Sequence, residues 1–462
     1  LHEQLEDAFH HCIPCIITFM KSFLEMFRTN GKSYALTFAL VCTLFFLWGF
    51  CNGMIELLNK QFKNSLHINN MESFFVQFAN FISYFLMAIP SGLLAKRFGY
   101  KGGILMGLGL VALGAIWFIP ATLIDTYAVF LTGLFVIAAG LTILETIANP
   151  YTTVLGPSIS GATRINLAQT CNAVGTWLGP IIGGTLLLSS TGVSNTSNSA
   201  LYIPYLVVAA LVIVLFVLFV RSELPDLQAE DDAKMAASGS LAVASKPLLS
   251  RWHFTLAIGA QFFYVAAQVG IWGTFANYVT SSDMPVIPQW IASHLYKEWT
   301  FAIGSGYHVT DLGSSRALSG GILLFIAGRF FGSMVLRVCS AHLTLAVFGL
   351  VNSILMALII LHLGWVSVVG LFLSNFFMSI MYPTIFALGI RGLGEHTKFG
   401  SSLIVMAIVG GAVLPLAMGW LADRFSMHAS FTVPLICFVY VMLYAAFWPA
   451  LERLDTGHDV QD

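Results

Sequence analysis

Charge is what this sequence has least of. Only 9% of its 462 residues are Asp, Glu, Lys or Arg, where a soluble domain carries about 25%. With so little ionic surface and a mean hydropathy of +0.83, the chain does not stay dispersed in water. A soluble enzyme and a disordered chain are both excluded. Basic excess is missing too. The 21 Lys and Arg face 22 Asp and Glu, a net charge of −1, so nothing neutralises a run of phosphates and no nucleic-acid partner is expected. Cysteine is sparse, odd in number and scattered over positions 12, 15, 42, 51, 171, 339 and 437; no disulfide framework follows. His10, His11, Cys12 and Cys15 cluster, but no second ligand pair follows at zinc-site spacing, so no metal is expected. No nucleophile–base cluster appears either, so neither an enzyme nor a cofactor is expected. What the chain does have is 57% hydrophobic residues, with 38 Phe and 41 Gly. That mix suits lipid-facing helices and close helix contacts.

A helix crosses the hydrocarbon in about 20 apolar residues. Such segments lie near 34–58, 73–95, 103–122, 127–150, 165–189, 202–220, 254–279, 313–336, 342–361, 364–390, 399–422 and 430–449. The sequence therefore predicts an all-α membrane protein of about twelve transmembrane helices. A polar stretch divides them six and six. The parts are an N-terminal interfacial segment 1–32 (with an interfacial helix over 13–27), a six-helix bundle 33–221, a linker 222–252, a second six-helix bundle 253–450 and a tail 451–462. With the N-terminus inside, fifteen Lys and Arg fall on the inner side, against five outside (Lys60, Lys63, Lys297, Arg316 and Arg424). The positive-inside rule then puts both termini in the cytoplasm of a multi-pass plasma-membrane protein.

The two halves repeat. Gly92 and Arg97 match Gly332 and Arg337. Asn149-Pro150 followed by Leu155-Gly156 matches Tyr382-Pro383 followed by Leu388-Gly389, and Arg164 matches Lys398. The spacings are 240, 233 and 234 residues in the same order. Duplicated six-span halves with a substrate site between them are a transporter pattern.

Several stretches carry a resemblance. Gly92-Leu-Leu-Ala-Lys96-Arg97-Phe-Gly99-Tyr-Lys101 resembles the major facilitator superfamily signature, with Lys96 where an Asp is usual. Phe45 to Phe50, Leu144 to Pro150, Asn166 to Thr170, Ala260 to Val265 and Tyr382 to Ile390 resemble the fucose–proton symporter branch of that family, which also holds glucose/galactose carriers. The resemblance runs from about 45 to 420. It implies two pseudo-symmetric bundles, sugar transport with protons by alternating access, and structural or gating roles for Arg97, Lys101, Arg329 and Arg337.

Ionisable groups inside a bilayer are costly and normally face a cavity or a partner. Glu56, Glu145 and Arg329 are the clear instances. Asn149 lies one turn from Glu145 on the same face. The repeat mate of Glu145 is Met378, so the acid is in one half only. A titrating Glu145 would load a proton outside and release it inside; the alternative is a permanently protonated side chain holding a structural hydrogen bond. The resemblance implies proton coupling. Glu56, with Trp48 and Asn52, forms a stripe on the first span. The branch usually has an Asp at the Glu56 position, and a substrate or proton role is expected. Polar stripes recur. Gln77, Asn80 and Tyr84 mark the second span, and Asn166, Gln169 and Asn172 the fifth. Gln261, Tyr264, Gln268 and Trp272 share a face of the seventh, and Asn375, Ser379 and Tyr382 lie on the tenth. Amides both give and accept hydrogen bonds, and aromatic faces cover the apolar face of a pyranose. Amide-rich and charge-poor stripes favour a neutral hexose over an organic anion. The expectation is a monomeric sugar–proton symporter in a lipid bilayer, with a uniporter or a non-transporting sugar sensor as alternatives. The outer loop 280–312 reads as tolerated surface, with a lid over the vestibule as the alternative, and Asn195 opens an N-glycosylation sequon.

Overall fold

The computed structural model describes residues 25–29, 31–65, 70–191, 202–224, 247–280, 300–303 and 306–456. The first half consists of α1 (Ala35–Ser65), α2 (Asn70–Ile116), the short α3 (Phe118–Ile124), α4 (Tyr127–Val154), α5 (Gly161–Thr191) and α6 (Tyr202–Arg221). The second consists of α7 (Trp252–Val279), α8 (Asp311–Val335), α9 (Ala341–Ile360), α10 (Trp365–Met378), α11 (Met381–Ile390), α12 (Thr397–Met406), α13 (Gly410–Arg424) and α14 (Thr432–Thr456).

Ten stretches among the described residues are long and apolar enough to cross a membrane. Two further crossings add to these. α2 holds the second and third spans end to end, and they part at Gly99, whose φ of 69° and ψ of −177° interrupt the helix. Only glycine takes that conformation without strain, and Gly99 sits inside the signature stretch. The fifth span is α5, 31 residues long, with Arg164, Asn166, Gln169 and Asn172 toward its start.

The tenth span is α10 plus α11, broken at Ser379 and Ile380. Pro383 explains the break. It has no N–H for the carbonyl of Ser379, four residues back.

Each half has its own core. Phe45, Leu108, Ile143 and Tyr151 belong to the first, and Phe254, Met356, Phe386 and Phe438 to the second. Outward faces are apolar as well. Leu211, Val214 and Leu218 stand exposed along α6, and Val347, Leu350 and Ile354 along α9. Exposed apolar stripes at helical spacing suit lipid contact. The halves meet where α2 and α4 touch α12, and where α5 touches α8 and α11. They close at the end bearing Lys96, Arg97 and Lys101. There Gly92 abuts Ser402, and Lys398 Nζ sits 4.6 Å over the Tyr100 ring, a cation–π contact between halves.

Four details refine the sequence expectation. The expected interfacial helix over 13–27 lies almost wholly outside the described residues, and a short hairpin follows it. Arg28–Thr29 (β1) pairs with Lys32–Ser33 (β2), and Met26 and Phe27 are buried in the first core. Within the outer loop, Thr300–Ile303 (β3) pairs with Gly306–Val309 (β4). The last helix runs on to Thr456, past the expected boundary at 450. Arg164, counted among the inner charges, is fully buried. Residues 1–24, 225–246, 281–299 and the sequon at Asn195 lie outside the described residues.

Candidate functional site

The site forms where the two proline-marked helices, α4 with Pro150 and α11 with Pro383, face one another across the two halves. α4 is buried on nearly every side from Gly133 to Thr152. Glu145 is 1% exposed, and Tyr382 of the opposite half donates its hydroxyl to Glu145 Oε1. Oε2 has no partner in hydrogen-bond geometry among the described residues. Tyr84 of α2 lies beside the carboxyl and accepts the Trp48 indole N–H at 2.7 Å.

A chain of polar groups leads away from this pair. Asn149 Oδ1 accepts from Gln169 Nε2 at 3.2 Å. Arg329 Nη1 then donates to the Gln169 carbonyl at 2.6 Å and to its Oε1 at 3.0 Å. Arg329 is 4% exposed. Its Nε donates to the Ser379 carbonyl at 2.8 Å, and its guanidinium lies 4.6 Å from the Phe325 ring centre. The carbonyl of Ser379 is available because Pro383 cannot bond it. The neighbouring Met378 carbonyl accepts the Tyr264 hydroxyl at 2.9 Å. The helix break thus supplies two backbone acceptors, and two long side chains hold them. Arg329 thereby bridges the two halves, from Ser379 to Gln169.

The remaining sequence-predicted residues divide by what their polar atoms do. Asn166 Nδ2 donates to Thr384 Oγ1 across the halves at 3.1 Å. Asn172 Nδ2 donates to the Phe45 carbonyl at 3.3 Å. Trp272 Nε1 donates to Asn375 Oδ1 at 2.9 Å. These groups are engaged within the protein. A second set is not: both amide atoms of fully buried Gln261, Oδ1 of Asn52, Oδ1 of Asn80 and Nδ2 of Asn149 have no hydrogen-bond partner among the described residues. Gln268 is half-buried on the same helix as Gln261. An unsatisfied buried polar group costs about 1–3 kcal/mol, so each of these atoms calls for a partner that the described residues do not supply. Glu56 and Gln77 stand on α1 and α2, with side chains outside what the structure describes.

At the basic end, Arg97 is exposed over the Phe98 ring at 5.3 Å. Lys101 Nζ donates to the carbonyls of Val220 and Ser222, both at 2.8 Å, and so closes the end of α6. Arg337 is half-buried just after α8.

Sequence reasoning missed Arg164. Its Nε and Nη1 donate to the carbonyls of Thr152 and Met26, each at 2.9 Å, and its Nη2 to that of Thr153. It caps the last turn of α4, just beyond Asn149. The available signal was an arginine inside the first turn of an otherwise uncharged span.

Two pseudo-equivalent six-helix halves, with a buried acid and a field of amides between them, define a membrane carrier. The chain belongs to the Major Facilitator Superfamily, whose model matches residues 36–408. It is 35% identical to the L-fucose-proton symporter of Escherichia coli K12 over 90% of this chain and 94% of that one. It is 34% identical to a glucose/galactose transporter of Brucella abortus, over 90% of this chain and 95% of the relative. The E. coli fucose:proton symporter in its outward conformation superposes with a TM-score of 0.75 at 35% identity, over 90% of this chain and 99% of that one. A proton:xylose symporter superposes at 0.63 with 13% identity, covering 90% of this chain and 95% of the other, and so shares the fold.

Proposed function

We propose that this chain carries a neutral hexose together with a proton by alternating access. The observation that carries this reading is the buried Glu145, the acid of one half held by a phenol of the other. An ionised Glu145 accepts a charge-assisted bond from Tyr382, roughly twice as strong as a neutral one. Protonation weakens that bond across the interface, so the proton loosens the contact that opposes rocking of the halves. Gln261, Gln268, Asn52, Asn80 and Asn149 present the sugar hydroxyls with donors and acceptors. Glu56 and Gln77, on α1 and α2, are assigned to the same substrate path. Arg329 and Gln169 hold the two halves in register.

On this reading the chain is a monomer of the plasma membrane. Its basic end, where the halves close, is cytoplasmic, and both termini lie on that side. Met235→Cys in a background without the natural cysteines tests the orientation. An impermeant thiol reagent should label it only once the inner face is opened, and labelling in intact cells would reverse the assignment.

The transport reading is tested in proteoliposomes with a panel of hexoses, following counterflow and sugar-dependent proton uptake together. Counterflow with stoichiometric proton uptake supports symport. Counterflow without proton movement makes the chain a uniporter, and binding without counterflow makes it a sensor.

A further inference from the structure

α1 and α5 touch along a register that repeats every four residues. A Cβ on Gly179 would fall 2.6 Å from the Phe50 carbonyl oxygen, and one on Gly175 would fall 2.3 Å from that of Phe46. Small residues let two helix backbones approach this closely. The same four-residue step, taken once more along both helices, reaches Cys42 and Cys171. There the two thiols are neighbours across the helix contact. Both are half-buried, whereas Cys51 and Cys437 are buried and Cys339 is exposed. The thiols line an open groove of about 280 Å³ between the helices, flanked by Ala39, Phe46 and Val174.

We propose that Cys42 and Cys171 form a dithiol site for a monosubstituted trivalent arsenical with an aryl group. Soft thiolate sulfur selects soft centres. The pair is preorganised, because the glycine contacts above it hold the two helices at one separation, and preorganisation lowers the cost of bidentate capture. The apolar groove beside the sulfurs has room for the ring. The reaction needs no redox partner. The arsenic–oxygen bonds of an aryl arsine oxide break and two sulfur–arsenic bonds form. The oxygen leaves as water with the two thiol protons, and arsenic stays trivalent. None of the residues lining the groove is among those assigned to the sugar, and the site does not depend on the transport reading.

The test uses the full chain in detergent with phenylarsine oxide, read by intact mass and by mapping of bridged peptides. Cys12 and Cys15 form a second close pair in the sequence, so the experiment is run in a Cys12→Ala, Cys15→Ala background. One adduct per chain is expected, stable to excess monothiol and removed by 2,3-dimercaptopropanol, with Cys42 and Cys171 in the bridged peptides. Cys42→Ser and Cys171→Ser should each abolish the monothiol-resistant adduct, and Cys51→Ala should keep it. The bridged-peptide map requires no further variant, so it decides even where a substitution disturbs folding. The absence of an adduct, a bridge involving any other cysteine, or its persistence in Cys42→Ser would overturn the assignment.

Discussion

The two halves share one scaffold and differ in chemistry at its centre. Each has a buried helix marked by an inward proline, α4 with Pro150 and α11 with Pro383. Around the first proline the chain places an acid and an amide, Glu145 and Asn149. Around the second it places Met378 and a phenol, Tyr382. A duplicated helix pair would give two equivalent sites. Here the first half supplies the only carboxyl of the pair, and the second supplies Tyr382, which donates to it, and Arg329, which donates to the Gln169 that bonds Asn149. The symmetry accounts for where the groups sit. The departure from symmetry accounts for what they do.

The sharpest way to break the comparison is to make the first half as uncharged as the second. Glu145→Gln keeps shape and hydrogen-bonding capacity but cannot titrate. Counterflow should persist, because exchange does not require the empty carrier to return deprotonated. Accumulation driven by a proton gradient should be lost. A tenfold proton gradient is worth about 1.4 kcal/mol, so each pH unit sustains up to about tenfold accumulation at one proton per sugar. In wild-type proteoliposomes accumulation should accordingly fall as external pH is raised, because the proton is a co-substrate on that side. Wild-type accumulation by Glu145→Gln would remove Glu145 from coupling and leave Glu56 as the candidate acid.

The next step is the tie from the second half. Arg329→Lys keeps the positive charge but loses the planar fork that reaches Gln169 and Ser379 together. Hydrogen bonds from a charged group contribute about 1.5–3 kcal/mol each, so transport should fall by an order of magnitude or more while purified protein remains folded. Initial uptake rates and thermal unfolding, measured together, check this. A Lys variant with the wild-type rate would mean that charge alone suffices and that the bridge is incidental.

Much of this is legible in the amino-acid sequence alone. The spans, the repeat, the isolated acid and the shared face of Glu145 and Asn149 all follow from periodicity and from the cost of charge in lipid. What stays hidden there is what the chain brings together over long separations. No local pattern says that Tyr382 reaches Glu145, or that Asn166 donates to Thr384 of the other half. The stripe on the seventh span reads as four equivalent sugar contacts. In the structure Tyr264 and Trp272 already bond the tenth span, while Gln261 has no partner among the described residues, because packing between helices decides which members of a stripe remain available. The break in the tenth span, by contrast, is open to inference, since a proline frees the carbonyl four residues earlier wherever it occurs in a helix.

A smaller effect separates the two partners of the central contact. Tyr382→Phe removes the hydroxyl and leaves Glu145 buried without that donor. Accumulation should drop several-fold, with counterflow near the wild-type rate. In a Glu145→Gln background the same change should add nothing to an accumulation already lost. A double-mutant cycle isolates the pair, and additive losses would show that Tyr382 acts elsewhere.

The smallest expected effect concerns sugar affinity, and it distinguishes the engaged from the unengaged members of the second half's stripe. Gln268 is half-buried, and Gln261 lies two helical turns before it with both amide atoms unpartnered among the described residues. If these amides meet sugar hydroxyls, Gln268→Ala should weaken binding by the net worth of a neutral hydrogen bond, about 0.5–1.5 kcal/mol, a change of a few-fold to about tenfold. Trp272→Phe keeps an aromatic face but removes the N–H that holds Asn375. It should therefore cost stability of the folded carrier more than affinity. Sugar binding by purified variants, set beside their unfolding temperatures, resolves the two. If Gln268→Ala binds sugar as tightly as wild type while Trp272→Phe loses affinity at unchanged stability, the order is reversed. The sugar would then rest on the aromatic side chain, and Gln268 would return to helix packing.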